Sequence, residues 1–215
     1  MGFLLTFESP TLAQSIQEIE MPDITLDKSR TALLIADFYR DMMNRVPHAV
    51  ERKVVEKTQA LQKAARDAGI LVCYSATVFR PGYPEISDRN KTFSQRKASG
   101  QPAISDPWQV IHEAVKPLEG EVVVGKHRVN ALYGTDLDMT LRANNIEALV
   151  LLGYATSGVV LSTTRFAADA DYRIIIVEDC CSDQDPEVHD FLTQRIFPRQ
   201  AEVVQSQDVI KALAR

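Results

Sequence analysis

The stretch EALVLLGYATSGVVLSTTRFAADADYRIIIVEDCC, residues 147–181, decides the fold of this chain. Residues 148–152 form an unbroken apolar run, as expected for a strand that is buried on both faces of a parallel sheet. Small and hydroxyl-bearing residues follow, then a helical stretch to Ala168 and a second buried strand over 173–177. The segment therefore predicts a strand–turn–helix–strand unit of an α/β fold.

The turn inside this unit, YATSG at residues 154–158, is a candidate ligand site. Ligands of parallel α/β sheets bind where strands end and helices begin. Backbone N–H groups at a helix start can bind an anion. The alternative is a capping turn that uses Thr156 or Ser157, and the two interpretations are compatible.

Strands and helices alternate along the rest of the chain, which predicts a βαβ sheet in one domain over residues 1–215. Residues 1–28 are expected to form an N-terminal arm. The irregular stretch 79–107 is expected to be a lid, a binding loop or a disordered segment. The remaining strands are predicted over 31–37, 70–77, 121–125 and 201–204, and the remaining helices over 50–68, 108–114, 135–143, 186–196 and 206–213.

Composition is that of an ordinary globular protein, with 45% hydrophobic and 25% charged residues. The net charge of −5 argues against a nucleic-acid partner. No apolar stretch approaches the roughly 18 residues of a membrane-spanning helix. A secretory signal is not expected, because no basic region precedes the short apolar run near the N-terminus. The three cysteines, two of them adjacent, form no disulfide framework, which favours a cytoplasmic location.

Two charged residues at predicted strand ends are the candidate catalytic groups. Asp37 ends the first strand, where a partly desolvated carboxylate has a raised pKa and can exchange protons near neutral pH. Its alternative role is a helix N-cap. Lys126 follows the third strand and is either an exposed loop charge or, beside a carboxylate, a fixed cation that stabilises developing negative charge.

Arg80 follows the second strand and is a candidate ligand for a substrate carboxylate, with a surface role as the alternative. No metal site is predicted, because the histidines have no His-x-His or His-x-x-x-His spacing. No cofactor is predicted either, because the chain has no glycine-rich nucleotide-binding motif.

The combined pattern resembles the isochorismatase-like hydrolases, also called the cysteine hydrolase family. The resemblance covers most of residues 30–204 and rests on TALLIADFYRDMM (31–43), GKHRVNALYGTDLDMTLRANNIEALVLLGYATSGVV (125–160) and FAADADYRIIIVEDCCSD (166–183). It implies a six-stranded parallel sheet flanked by helices on both faces, assembled as a homodimer or larger homo-oligomer. It also implies a cis peptide between Tyr154 and Ala155.

Amidases of this family use an Asp–Lys–Cys triad, and Asp37 and Lys126 match its first two members. The cysteine position falls on Val159, which cannot attack a carbonyl. True isochorismatases also lack the cysteine and use the aspartate directly to protonate a vinyl ether. The resemblance therefore implies Asp-mediated hydrolysis of a small metabolite, carboxylate-bearing ones included. The implied substrate-binding residues are Arg80, Tyr154, Ala155, Thr156, Ser157, Gly158 and Val159.

The sequence leaves three points open. Val159 is bulkier than the glycine expected there, so a substrate other than isochorismate is also compatible with the sequence. The missing nucleophile also fits a catalytically inactive member that binds a small molecule or acts as a scaffold. An amidase with a displaced nucleophile is the further alternative, although Thr156 and Ser157 have no obvious base and Cys180 and Cys181 follow the next predicted strand.

Overall fold

Six strands form one all-parallel sheet in the computed structural model, which describes residues 24–215. The strands are β1 (Thr31–Ala36), β2 (Leu71–Thr77), β3 (Val122–Lys126), β4 (Ala148–Tyr154), β5 (Arg173–Ser182) and β6 (Glu202–Val204). Their order across the sheet is β3-β2-β1-β4-β5-β6, with every neighbouring pair parallel. The six-stranded parallel sheet is thereby confirmed.

Helices connect the strands. They are α1 (Arg40–Met43), α2 (Pro47–Glu51), α3 (Val54–Asp67), α4 (Ser94–Ala98), α5 (Leu137–Ala143), α6 (Leu161–Asp169), α7 (Pro186–Phe191) and α8 (Ser206–Leu213). Short 3-10 turns cover Lys28–Arg30, Pro107–Gln109, Glu113–Val115 and Phe197–Arg199, and wider turns cover Thr156–Val160 and Leu192–Ile196. No helix within residues 24–215 is both long and apolar enough to cross a bilayer.

The direction in which strands are added reverses beside β1. The chain first adds β2 and β3 on one side of β1, and then β4, β5 and β6 on the other. Right-handed crossovers in opposite directions place the connecting helices on both faces of the sheet. In the structure α3 and α8 pack against each other and on β5, and α6 also packs on β5. The ends of β1 and β4 form the switch point at which open α/β sheets bind ligands.

The two central strands lie in the core along their whole length, as their apolar sequences predict. They approach each other closely at Gly153, whose φ is 149°. A Cβ at this position would lie 2.0 Å from the Ala36 carbonyl oxygen, so the close approach requires glycine.

Two predicted helices differ from the structure. The helix predicted over 50–68 is interrupted, because Lys53 adopts a left-handed conformation with φ 54° between α2 and α3. The helix predicted over 108–114 is wrong. The N–H group of Arg40 donates to the Val110 carbonyl, and the N–H group of His112 donates to the Phe38 carbonyl. This segment therefore pairs with the chain that follows β1.

Three other segments can be compared with their predictions. β5 runs on to Ser182, so Cys180 and Cys181 lie inside the strand and not after it. The stretch 79–107 contains α4 and packs around a small apolar cluster of its own, formed by Phe79, Tyr83 and Ile86. The expected N-terminal arm lies, up to residue 23, outside the described residues.

Candidate active site

The carboxyl ends of three neighbouring strands bring Asp37, Thr77 and Lys126 together. Asp37 directly follows β1 and turns the chain with φ 51°, a conformation that aspartate tolerates better than most residues. Lys126 is the last residue of β3 and lies in register with Thr77, the last residue of β2. Because β2 lies between β1 and β3, Thr77 lies beside both charged groups, and its Oγ1 is 2.6 Å from Lys126 Nζ and 3.4 Å from Asp37 Oδ2.

Asp37 and Lys126 form a buried ion pair, with 2.7 Å between Oδ2 and Nζ. The Asp37 residue is 7% exposed and Lys126 is fully buried. The lysine Nζ also donates to Thr77 Oγ1 at 2.6 Å and to the Arg128 carbonyl at 3.0 Å. All three N–H groups of Lys126 thus have protein acceptors. The lysine is a buried cation beside a carboxylate and not an exposed loop charge.

Burial shifts the pKa of both partners toward neutrality. Desolvation raises the pKa of the Asp37 carboxyl, against the lowering effects of Lys126, the Tyr39 hydroxyl and the Thr77 N–H group. Desolvation lowers the pKa of Lys126, against the raising effect of Asp37. The pKa values of the two groups therefore lie closer together than those of the same groups in water.

A cavity of about 670 Å³ opens above the pair. Asp37 and Lys126 are part of its lining, and the segment 79–107 contributes Thr92, Phe93, Arg96 and Ile104. The Arg96 guanidinium lies 6.0 Å from the Phe79 ring centroid, and none of the ion pairs within residues 24–215 involves it. The cavity thus combines an acid–ammonium pair, apolar walls and a cation without a carboxylate partner among the described residues.

Most of the predicted turn faces this cavity. Tyr154, Ala155, Gly158 and Val159 belong to its lining. The peptide between Tyr154 and Ala155 is cis, as the family resemblance implies. Val159 lines the same cavity as Asp37 and Lys126, at the position where the resemblance places a cysteine.

The other predicted binding residues lie off the cavity. Thr156 is fully buried behind the turn. The Ser157 N–H group donates to the Asp183 carboxylate at 2.7 Å, so the protein supplies its own anion at this helix start. The Arg80 side chain is 71% exposed and its Nε lies 3.4 Å from Glu85.

Thr156 does have a neighbouring base, contrary to the sequence expectation. Its Oγ1 lies 2.8 Å from His189 Nδ1, and His189 Nε2 lies 2.8 Å from the Glu178 carboxylate. Arg52 pairs with the same carboxylate. Burial alone would raise the pKa of Glu178, but the His189 hydrogen bond and the Arg52 charge lower it to about 2. Because Thr156 and His189 are fully buried and outside the cavity lining, this network holds the turn in place and offers no accessible nucleophile.

The thiols are equally remote from the cavity. Cys73, Cys180 and Cys181 are fully buried, and none of them lines it. Burial raises the pKa of Cys73 and of Cys181 to about 12, and that of Cys180 further. Such thiols are poor nucleophiles, because the thiolate is the reactive form.

Sequence reasoning missed Tyr39, Thr77 and Arg96 as lining residues. The strand-end rule that singled out Asp37 applies equally to Thr77, the last residue of the predicted second strand. Arg96 lies in a long irregular stretch whose sequence has no periodic pattern. Among residues 24–215, no group of three His, Cys, Asp or Glu side chains converges as a metal site would.

The chain is similar to known proteins in both sequence and structure. The isochorismatase domain family matches residues 31–208. The chain is 29% identical over 159 residues to a maleamate amidohydrolase of Pseudomonas putida, covering 74% of each chain. An isochorismatase family protein from Burkholderia thailandensis has a TM-score of 0.74 at 29% identity, over 89% of this chain and 98% of that one. The N-carbamoylsarcosine amidase from Thermoplasma acidophilum has a TM-score of 0.66 at 30% identity, over 82% and 96%.

Proposed function

This chain belongs to the isochorismatase family of hydrolases, and we propose that it hydrolyses a small, carboxylate-bearing metabolite by proton transfer at Asp37, without a covalent thiol intermediate. The observation that carries the proposal is the buried Asp37–Lys126 pair, 2.7 Å apart, in a cavity whose wall presents Val159 where a thiol would attack.

In the proposed reaction, Asp37 in its acid form protonates the terminal carbon of a vinyl ether. The electrons of the C=C bond form the new C–H bond, and water adds to the resulting oxocarbenium ion. The hemiketal collapses to a carbonyl product and an alcohol, and the proton that the water releases returns to Asp37. The raised pKa of Asp37 supports this role, because the acid form then persists nearer to neutral pH.

Lys126 acts in this scheme as a fixed charge. It stabilises the Asp37 carboxylate that remains after the proton has left, at 2.7 Å and with no rearrangement. Since its N–H groups are already bound to Asp37, Thr77 and the Arg128 carbonyl, it holds the acid and does not bind the substrate.

Arg96 is the proposed ligand for the substrate carboxylate, because it lines the cavity and has no ion-pair partner among the described residues. Arg96→Gln is expected to raise KM about tenfold or more, as for the loss of a hydrogen bond to a charged group. The role expected of Arg80 stays a prediction. Arg80→Gln is the matched variant that tests it, and an increase in KM confined to Arg80→Gln would reverse the assignment.

The test of the proposed function uses isochorismate, followed by release of pyruvate, and maleamate, followed by release of ammonia. Asp37→Asn is expected to abolish turnover of the responsive substrate. Asp179→Asn is the matched control, because Asp179 is as buried as Asp37 but caps α8 outside the cavity. Unchanged turnover by Asp37→Asn would overturn the proposal.

An amidase is the second candidate, favoured by the names of two relatives, the maleamate amidohydrolase and the N-carbamoylsarcosine amidase. It requires ammonia release that a thiol-alkylating agent blocks. An inactive binding protein is the third candidate. It would be stabilised by a ligand in a thermal-shift assay and would return that ligand chemically unaltered.

A homodimer or larger homo-oligomer is also proposed, as is a cytoplasmic location. The assembly is supported by two large apolar side chains that are exposed near α5, Tyr133 at 58% and Met139 at 68%. Light scattering coupled to size-exclusion chromatography measures the mass, and a monomer would contradict the assembly.

A further inference from the structure

We propose that Tyr39 is a positioning residue of this site, whose hydroxyl orients Asp37 and stabilises the carboxylate that forms when Asp37 gives up its proton. The inference rests on the proposed function of Asp37. Tyr39 lines the same cavity, and its hydroxyl lies 2.6 Å from Asp37 Oδ1.

The shortest contacts of the two Asp37 oxygens are to different groups, while the Thr77 hydroxyl lies 3.4–3.5 Å from both oxygens. Oδ2 faces Lys126 at 2.7 Å, whereas Oδ1 faces the Tyr39 hydroxyl and the Thr77 N–H group at 3.1 Å. This division fixes the carboxylate plane, because rotation about the Cβ–Cγ bond would break contacts on both sides. Tyr39 is able to reach back over Asp37 because the chain turns sharply there, with the Tyr39 N–H group bonded to the Asp37 carbonyl at 2.9 Å.

The direction of the Tyr39 hydrogen bond follows from its neighbours. The Thr77 N–H group donates to the Tyr39 oxygen at 2.8 Å, so the phenol proton remains for Asp37 Oδ1. Burial and the adjacent Asp37 charge hold the pKa of Tyr39 well above its usual value. The phenol therefore keeps its proton and stays a donor over the working pH range.

This hydrogen bond makes Asp37 a stronger acid than burial alone would allow. A donor that points at a carboxylate favours the charged form and so lowers the pKa of the carboxyl. Among the other charged groups that face Asp37, Lys126 acts in the same direction. Arg40, Asp41 and Arg96 line the same cavity.

The test is a pH titration of Asp37 in the full chain, followed by NMR of ¹³C-labelled aspartate. The Asp37 signal is assigned by its loss in Asp37→Asn. Tyr39→Phe is expected to raise the titration midpoint by about one unit or more, the size of a hydrogen bond to a charged group. Tyr154→Phe is the matched control, since Tyr154 lines the same cavity but its hydroxyl lies 3.5 Å from Gln184 Oε1. Its midpoint is expected to equal that of the wild type.

An unchanged midpoint in Tyr39→Phe, or an equal rise in both variants, would overturn the inference. Should Tyr39→Phe fail to fold, site-specific 3-fluorotyrosine at position 39 is the second test. Its more acidic phenol donates more strongly and is expected to lower the Asp37 midpoint, and an unmoved midpoint would again refute the role. The titration needs no substrate, so its failure is distinct from a failure of the turnover test on Asp37→Asn.

Discussion

Replacing Lys126 with methionine removes the cation that is buried against Asp37 while it keeps most of the side-chain volume. Asp37 Oδ2, Thr77 Oγ1 and the Arg128 carbonyl each lose the donor that Nζ supplies. Removal of one partner from a buried ion pair costs about 3–5 kcal/mol, because a charge is left uncompensated. We therefore expect the free energy of unfolding of Lys126→Met to fall by about 3–5 kcal/mol at pH 8.

The loss has a defined pH dependence. In Lys126→Met, Asp37 keeps the burial that raises its pKa and loses the ammonium that lowers it. Its folded-state pKa therefore lies further above the unfolded value of about 3.9. Between the two values the folded state binds the proton and the unfolded state does not, so stability falls as the pH rises. The penalty is thus smallest below about pH 4 and largest at alkaline pH.

Urea denaturation of the wild type and the variant at pH 4 and pH 8 measures both effects. Adding Asp37→Asn to Lys126→Met removes the stranded charge and is expected to recover most of the loss at pH 8. Lys57→Met is the matched control, since Lys57 pairs with Asp179 at 3.5 Å while 39% exposed, and is expected to cost about 1 kcal/mol or less. A loss for Lys126→Met below that of Lys57→Met, or one equal at both pH values, would refute the reasoning.

Glu178→Gln is expected to lower the free energy of unfolding at pH 7, because the His189 hydrogen bond and the Arg52 charge stabilise only the carboxylate. In urea titrations, the difference from the wild type should vanish as the pH falls from about 4.5 toward about 2. Persistence of the full difference at pH 2 would contradict this. Gly153→Ala is expected to cost about 3 kcal/mol or more, measured by thermal unfolding, because its Cβ meets the Ala36 carbonyl; a wild-type Tm would exclude the clash. None of the three cysteines is expected to react with a thiol reagent before unfolding, and fast labelling of the native chain would instead support the displaced-thiol amidase.

The fold was predictable because strands that are buried on both faces have continuous apolar sequences. Apolar runs such as 148–152 locate the central strands, and the predicted helix 206–213 agrees with α8 at both ends. Tertiary contacts account for what was missed. The segment after Trp108 pairs with the chain that follows β1, a pairing that no local pattern reveals. Lys53 interrupts a continuous amphipathic pattern by its backbone conformation alone.

The candidate site was predictable to the extent that strand ends define it. Asp37 and Lys126 were found because each follows an apolar run, and the structure places them in contact. Which turn residues face the cavity was not predictable. Thr156 and Val159 are both buried, but only Val159 lines the cavity, and the sequence does not show on which side of the turn each side chain lies. Arg96 was missed because its position depends on how the segment 79–107 packs over the sheet.

The three N–H groups of Lys126 are all bound to acceptors within the protein. In the proposed mechanism, substrate selection is therefore separate from proton transfer. In the proposed mechanism, a bound molecule experiences the charge of this lysine but none of its hydrogen bonds, so Lys126 does not select the substrate by its shape. The opposing wall comes from a segment built around its own apolar cluster. On the proposed mechanism, substitutions in that segment are expected to alter substrate selection without changing the Asp37–Lys126 pair. In that mechanism, reactivity and selectivity depend on different parts of the chain.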